Sequence, residues 1–249
     1  MNLEDYKFES YLYVIKELGI DPRKDIISTY ILDEILRAKP VKRAEEVVRS
    51  LLKGRKAVVV GAGPYVLHDL KRAHENGLLN GSVILAADGA SLAFQSFTGQ
   101  VPHIIVTDLD GFPEEEVKMV NQGSIPVVHA HGDNVDKVVG YVPKMAWALG
   151  TTQTFETQLV KNYGGFTDGD RACYIACAFD AAEIYLLGMD FSNIVGEYSN
   201  LNKFVGSFDR KRKKLLIGIR MLKALARRCN AQMVNASFNA TIIDGIKNL

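Results

Sequence analysis

An excess of charge is the first thing missing: thirty Lys and Arg stand against twenty-nine Asp and Glu in 249 residues, a formal net charge of +1. That balance gives no global field for nucleic acid, although a local basic patch is compatible with it. No apolar run approaches the ~20 residues of a membrane-spanning helix. The opening residues, Met1-Asn-Leu-Glu-Asp-Tyr-Lys7, lack the basic-then-apolar order of a signal peptide. Three cysteines, Cys173, Cys177 and Cys229, are too few for a disulfide framework. Cys173 and Cys177 lie four apart among Ala and Ile and are expected as small core residues, not metal ligands. The expected compartment is therefore a reducing cytoplasm. There is no repeat of fixed period and no low-complexity tract. Two nucleotide signatures are also absent. No Gly-x₄-Gly-Lys-Ser/Thr loop occurs, and in Gly61-Ala-Gly63-Pro64 the third glycine of a dinucleotide fingerprint is replaced by Val66.

What is present is enough apolar residue, 47% of the chain, for one large domain or a domain with a small appendage. Residues 1–54 carry no strand signal. Ile31, Leu32, Ile35 and Leu36 repeat at helical spacing, Pro40 breaks the pattern, and Val41 to Leu52 resumes it. These residues are expected to form a helical cap. From residue 55 to 249 the grammar is alternating strand and helix. Apolar runs are expected as strands at Ala57–Val60, Val83–Ala87, Ile104–Val106, Ile125–His129, Ile184–Leu187 and Gln232–Asn235. That alternation predicts an α/β fold: a doubly wound, mostly parallel sheet, a Rossmann-like three-layer sandwich with an N-terminal helical extension.

The strand ends carry the chemical signal. Successive strands finish in Gly61-Ala-Gly63-Pro64, Ala87-Asp88-Gly-Ala90, Thr107-Asp108-Leu-Asp110-Gly111 and His131-Gly-Asp133-Asn134. A parallel sheet puts those ends along one edge, where ligands of open α/β sheets bind. Asp88, Asp108, Asp110 and Asp133 can therefore converge. Converging carboxylates repel one another unless a cation holds them, and a hard, oxygen-seeking ion such as Mg²⁺ suits them. Helix capping and turn formation are the bland alternative for Asp108 and Asp110. His129 and His131 flank one of these ends, but the oxygen-rich setting favours Mg²⁺ over Zn²⁺. The Gly61–Pro64 turn feeds a helix N-terminus whose amides can face a phosphate; tight strand-to-helix packing explains the glycines equally well.

A second stretch, Gly164-Gly-Phe-Thr-Asp168-Gly-Asp170-Arg171-Ala172, opens a helix. Thr167 or Asp168 can cap it, while Arg171 in the first turn opposes the helix dipole and hints at an anionic ligand or a carboxylate partner. Thr151 and Thr152 offer hydroxyls just before it. Lys203 and the run Arg210-Lys211-Arg-Lys-Lys214 follow a long polar loop and are candidates for a lid that carries cations to polyphosphate, against the plainer reading of a solvated helix face.

Taken in order over roughly residues 55 to 235, the strand-end motifs together with Gly165-Phe-Thr-Asp-Gly-Asp-Arg-Ala172 and Leu187-Gly-Met-Asp190 resemble the archaeal 6-hydroxymethyl-7,8-dihydropterin pyrophosphokinases. That family is similar in fold to the catalytic domain of thiamine pyrophosphokinases, where Asp residues after successive strands hold Mg²⁺ and ATP. Thr107 and Gly111 occupy the outer positions of the thiamine-type Gly-Asp-x-Asp-Ser turn, which argues for the pterin branch. The resemblance implies a Mg²⁺-dependent diphosphotransferase that moves diphosphate from ATP to the pterin hydroxymethyl group and releases AMP. It implies Asp108 and Asp110 as catalytic, Asp88, Asp108, Asp110 and Asp133 as metal ligands, and Gly61, Gly63, Pro64, Thr151, Thr152, Asp168, Asp170, Arg171, Asp190, Lys211 and Lys214 in the substrate sites. The pterin pocket is expected near Asp168, Asp170 and Asp190. ATP and a pterin are the expected partners, with no nucleic acid or membrane and room for a homodimer. A glycosyltransferase of the sialic-acid-handling type, which would not need the Asp108–Asp110 pair, and a non-catalytic nucleotide-binding module are the competing readings.

Overall fold

Apolar runs flanked by turn residues become the strands of one sheet. They are β1 (Lys56–Val60), β2 (Val83–Ala87), β3 (Ile104–Thr107), β4 (Ile125–His129), β5 (Leu149–Thr151), β6 (Val160–Lys161), β7 (Glu183–Leu187), β8 (Gln232–Asn235) and β9 (Lys247–Asn248). The computed structural model describes residues 3–191, 194, 196–199 and 208–249. Helices among them are α1 (Leu3–Leu18), α2 (Pro22–Leu36), α3 (Val41–Leu52), α4 (Val66–Glu75), α5 (Ala90–Thr98), α6 (Pro113–Asn121), α7 (Val135–Tyr141), α8 (Asp168–Ala178) and α9 (Phe208–Ala226). Every strand pairing is parallel, in the order β6-β5-β4-β3-β2-β1-β7-β8-β9. The chain runs outward from β1 to β6, then returns to lay β7 on the other side of β1. The crevice beyond the carboxyl ends of β1 and β7 is thus the topological switch point, where open sheets bind ligands.

Strands buried on both faces read as continuous apolar runs, and here alternate side chains supply two cores. Ala57 and Val59 of β1 join a large cluster with α2, α3 and α8, whereas Val58 and Val60 pack against Leu70 of α4 and Phe94 of α5. The N-terminal helices belong to the large cluster. Leu32 and Leu36 of α2 and Val48 and Leu52 of α3 are fully buried in it, alongside Val127 and Leu149. Gly150 explains how α2 sits so close: a Cβ there would stand 2.7 Å from Leu36 Cδ1 and 2.9 Å from Val160 Cγ2. Truncating either leucine to Ala would cost about 2–5 kcal/mol.

The expected strands are present, and β5, β6, β9 and α7 are additions. Strands of three and two residues are too short to show a period and exist through their neighbours' hydrogen bonds. One expectation is corrected. Cys177 is not merely a small core residue: it is disulfide-bonded to Cys229 across 52 residues, with Cα atoms 5.9 Å apart, while Cys173 is buried and free. The packing of α8 on α9 brings the pair together, which spacing alone does not reveal. The argument for a reducing compartment from unpaired cysteines falls with it. No described helix is long and apolar enough to cross a membrane.

Candidate active site

The turn after β3 is built by its own side chains. Thr107 Oγ1 accepts from the Leu109 amide at 2.8 Å, and Asp108 Oδ1 accepts from the Asp110 amide at 3.0 Å, as short polar side chains do in Asx and ST turns. Leu109 takes a left-handed φ of 65° and is anchored by complete burial of its side chain. The Gly111 amide then donates to Asp88 Oδ1 at 3.1 Å, and a Cβ on Gly111 would stand 2.6 Å from Asp88 Oδ2. The glycine lets the turn close on the carboxylate of the neighbouring strand end.

Two groups of ligand atoms result, each with its members within 4.8 Å of one another: Asp88, Asp108 and Asp168, and Asp108, Asp110 and His131. Asp168 is the first residue of α8, so that helix, not a fourth strand end, completes the first group. Asp133 is in neither group. Asp110 is exposed, and its Oδ1 accepts from Lys137 Nζ at 2.6 Å. His131 Nε2 lies 3.6 Å from Asp108 Oδ2.

The electrostatics of these carboxyls diverge. Burial, with the nearby charge of Asp108, pushes Asp88 up to about 6. Burial and the charges of Asp108 and Asp88 raise Asp168 well above the carboxylate range. At Asp108 burial also pushes upward, but it is outweighed by the His131 hydrogen bond and charge, the Asp110 amide and Lys214, and the group is held low. Behind Asp88, burial and the Asp88 charge keep Glu116 well above its usual range. Glu116 Oε2 accepts from Thr107 at 2.9 Å, and Oε1 has no partner among the described residues. Three carboxylates crowded this way resist ionising together, and an oxygen-preferring cation is what would let them. The donor set at the Asp88–Asp108–Asp168 group fits Mg²⁺.

Two cavities meet at this group. The larger, about 420 Å³, is lined by Asp108, His131, Asp133 and Lys214, and by Lys24 and Asp25 of α2. The smaller, about 250 Å³, lies at the switch point between Gly61–Pro64 and Gly188–Phe191, and includes Asp88, Lys211 and Leu215. Thr167 and Asp168 line both. Thr167 caps α8 in a reciprocal box with Asp170, so the positive end of the helix dipole stands at the boundary between the cavities.

Other expected residues sit elsewhere. Gly61 and Gly63 line the smaller cavity, but their amides donate to Leu187 O and Gly188 O, both at 2.8 Å. A Cβ on Gly61 would stand 2.6 Å from Met189 Cγ, and one on Gly63 2.5 Å from Gly188 O. Close packing on the β7 turn therefore accounts for both glycines, and neither amide is left for a phosphate. Thr151, Thr152, Asp170 and Arg171 are buried and line neither cavity. Thr152 Oγ1 bonds Thr29 at 2.7 Å, and Asp170 accepts from the Phe166 and Thr167 amides. Arg171 donates to Gly164 O and Phe166 O and faces His129 Nε2. The cation opposing the helix dipole thus fastens the preceding loop through carbonyls and has the carboxylates of Asp168 and Asp170 as charge partners. Lys203 lies outside the described residues.

Some cavity residues had no sequence signal. Asp25 is buried in the first turn of α2, accepting from the Gly132 amide at 2.7 Å, Gln153 Nε2 at 2.7 Å and Tyr11 at 2.9 Å. It ties the N-terminal helices to the strand-end loop bearing His131 and Asp133. A buried acid on the inner face of a helix was the available clue, and only the fold shows which face is inner.

The 6-hydroxymethylpterin diphosphokinase MptE-like family matches residues 32–196. Three proteins named 6-hydroxymethyl-7,8-dihydropterin pyrophosphokinase are similar over most of their length. The one from Methanocaldococcus jannaschii is 38% identical, covering 77% of this chain and 81% of its own. That from Methanothermobacter thermautotrophicus is 37% identical over 87% and 92%, and that from Pyrococcus furiosus 36% over 95% and 100%.

Proposed function

The chain belongs to the 6-hydroxymethylpterin diphosphokinase MptE-like family, and from that premise we propose that it is an enzyme transferring the diphosphate of ATP to the hydroxymethyl group of 6-hydroxymethyl-7,8-dihydropterin. The observation that carries this is the Asp88–Asp108–Asp168 group standing where two cavities join. A two-substrate group transfer needs two compartments with the transferred group between them, and a site for charge neutralisation at the junction.

In the reaction the hydroxymethyl oxygen bonds to the β-phosphorus of ATP. The bond from that phosphorus to the α,β-bridging oxygen breaks, and the oxygen leaves with AMP. Bound at the junction by Asp88, Asp108 and Asp168, with Asp110 and His131 at its edge, Mg²⁺ would neutralise the developing phosphoryl charge. The chain's own groups do the rest. The N-terminal end of α8 faces the diphosphate, Lys214 brings a cation from the larger cavity and Lys211 one from the smaller. His131 holds Asp108 anionic. The hydroxyl proton leaves to a junction carboxylate. The N-terminal helices contribute Lys24 and Asp25 to one wall, so residues 1–54 act as part of the site. A cytoplasmic enzyme that needs neither nucleic acid nor membrane is the companion reading; intracellular disulfides are documented in hyperthermophiles.

Incubation with ATP, Mg²⁺ and the dihydropterin should give AMP and the pterin diphosphate in equal amounts, read by chromatography and ³¹P resonance. ATP left intact in the presence of the pterin would overturn the proposal, and release of inorganic phosphate with ADP would indicate a different transfer.

A further inference from the structure

The smaller cavity contains a carboxylate for which the catalytic scheme has no use. Asp190 is 4% exposed, and its Oδ2 has no hydrogen-bond partner among the described residues. A buried carboxylate oxygen without a donor is costly, so its persistence calls for an explanation.

The surroundings are built to hold it there. The Asp190 carbonyl accepts from the Thr241 amide at 3.2 Å and its hydroxyl at 2.8 Å. Asn235 Nδ2 donates to Met189 O at 3.2 Å, and the Met189 amide donates to Ser237 Oγ at 2.9 Å. The Gly188 amide donates to buried Asp69 at 3.0 Å, and Gly188 takes a left-handed φ of 62°, which turns the chain after β7. Across the crevice, a Cβ on Gly63 would stand 2.8 Å from Asp190 Oδ1. Only glycine at that position leaves room for the carboxylate.

The rest of the cavity wall is largely apolar, with Ala62, Pro64, Met189, Phe191 and Leu215, and Lys211 is its single lysine among the described residues. The larger cavity, by contrast, sets three cationic side chains, Lys24, Arg210 and Lys214, among its aspartates and has the wider volume. An apolar slot that ends in an acceptor-only group recognises a flat heterocycle presenting two donors side by side. A carboxylate offers only acceptors. A 2-amino-4-oxopyrimidine ring, the edge of a pterin, shows an amino group next to a ring N–H. Adenine instead sets its amino donor beside an acceptor nitrogen, which a carboxylate repels.

We propose that the switch-point cavity is the pterin subsite and that the Asp190 carboxylate receives the 2-amino and ring N–H groups, leaving the larger cavity, with its three cationic side chains, to ATP. This rests on the pyrophosphokinase reading for the identity of the ligand. It adds which cavity takes which substrate and the residue that selects it.

The test is a fluorescence titration without ATP, using 6-hydroxymethylpterin and 6-hydroxymethyllumazine, in which a carbonyl replaces the 2-amino group. The parent protein should prefer the pterin by about 30-fold or more, because the lumazine sets an acceptor against the carboxylate. Asp190→Asn, which turns a donor toward the ligand, should weaken pterin binding by about 30-fold and reduce the preference to within about threefold. Its KM for ATP should stay near that of the parent, which also reports that the variant is folded. Equal affinity of the parent for the two ligands would overturn the proposal without any variant. So would Asp190→Asn binding pterin like the parent, or losing ATP instead. If the parent still forms AMP and pterin diphosphate in those cases, the enzymatic reading survives and the subsite assignment alone fails. A parent that binds no pterin and forms no AMP removes both.

Discussion

Gly63→Ala separates a glycine needed for packing from one needed for phosphate. The new methyl would stand 2.5 Å from Gly188 O and 2.8 Å from Asp190 Oδ1. The first is backbone, fixed by the strand pairing of β1 with β7 and by the Gly63 amide that donates to it at 2.8 Å. It cannot swing aside as a flexible side chain would. Relief requires the β7 turn to move, which strains the packing by about 1–3 kcal/mol and weakens a buried hydrogen bond worth about 1 kcal/mol. The sum, roughly 2–4 kcal/mol, corresponds to a fall in Tm of roughly 5–15 °C for a chain of this size. Differential scanning calorimetry without ligands reads it directly. Gly140→Ala is the control, since nothing stands within 4 Å of its added Cβ; in α7 it should be neutral or raise stability by about 0.5–1 kcal/mol. A Gly63→Ala protein with parental Tm and a raised KM for ATP alone would refute the packing argument and restore the turn as a phosphate cradle.

Asp108→Asn keeps the shape of the β3 turn but removes a charge from both ligand groups; kcat should fall by about 100-fold while Tm holds, and undiminished turnover at saturating Mg²⁺ would remove Asp108 from the anchoring role. Lys214→Ala should raise the KM for ATP more than that for pterin, with the gap widening at low ionic strength where screening is least; equal KM values at low salt would return this lysine to a solvated helix face. Opening the Cys177–Cys229 bond, which closes a loop of 52 residues, by reduction or by Cys229→Ser should cost about 4 kcal/mol of unfolding free energy on chain-entropy grounds, and identical urea midpoints with and without reductant would contradict that.

The sheet was legible because its middle strands are buried on both faces and therefore apolar throughout. Ala57–Val60 and Val83–Ala87 cannot be mistaken for solvated segments. The convergence of Asp88 and Asp108 was legible too, because parallel strands leave their carboxyl ends on one edge. What the spacing could not show is which acid completes the group. Asp133 follows a strand, as Asp88 and Asp108 do, yet Asp168 from a helix start stands closer to them. That depends on α8 crossing the sheet in front of β1 to β3, a tertiary fact. Arg171 was only partly legible. A cation in a first helical turn suggests an anion nearby, and the carboxylates of Asp168 and Asp170 do act on it, while its hydrogen bonds go to the Gly164 and Phe166 carbonyls. Lys24 and Asp25 were illegible because they lie in a segment whose sequence reports only helix.

The same edge must satisfy two opposed demands, and the environments of its acids show how. Polyphosphate arrives heavily negative at a junction already crowded with carboxylates, so these acids cannot serve as a bare anion site. Asp108 is held low by His131 and Lys214, whereas Asp88 and Asp168 are held high by burial and by each other. Glu116, held well above its usual range by burial and the charge of Asp88, stands behind Asp88. Without a cation the junction is therefore short of its full negative charge; with one, Asp88 and Asp168 can ionise and bind it. Binding of a cation there would then be coupled to loss of those protons, since ligands must deprotonate to coordinate. On the proposed reading, an acidic cluster of this kind would accept ATP together with its cation in preference to ATP alone, as a group between two substrates of a diphosphate transfer should.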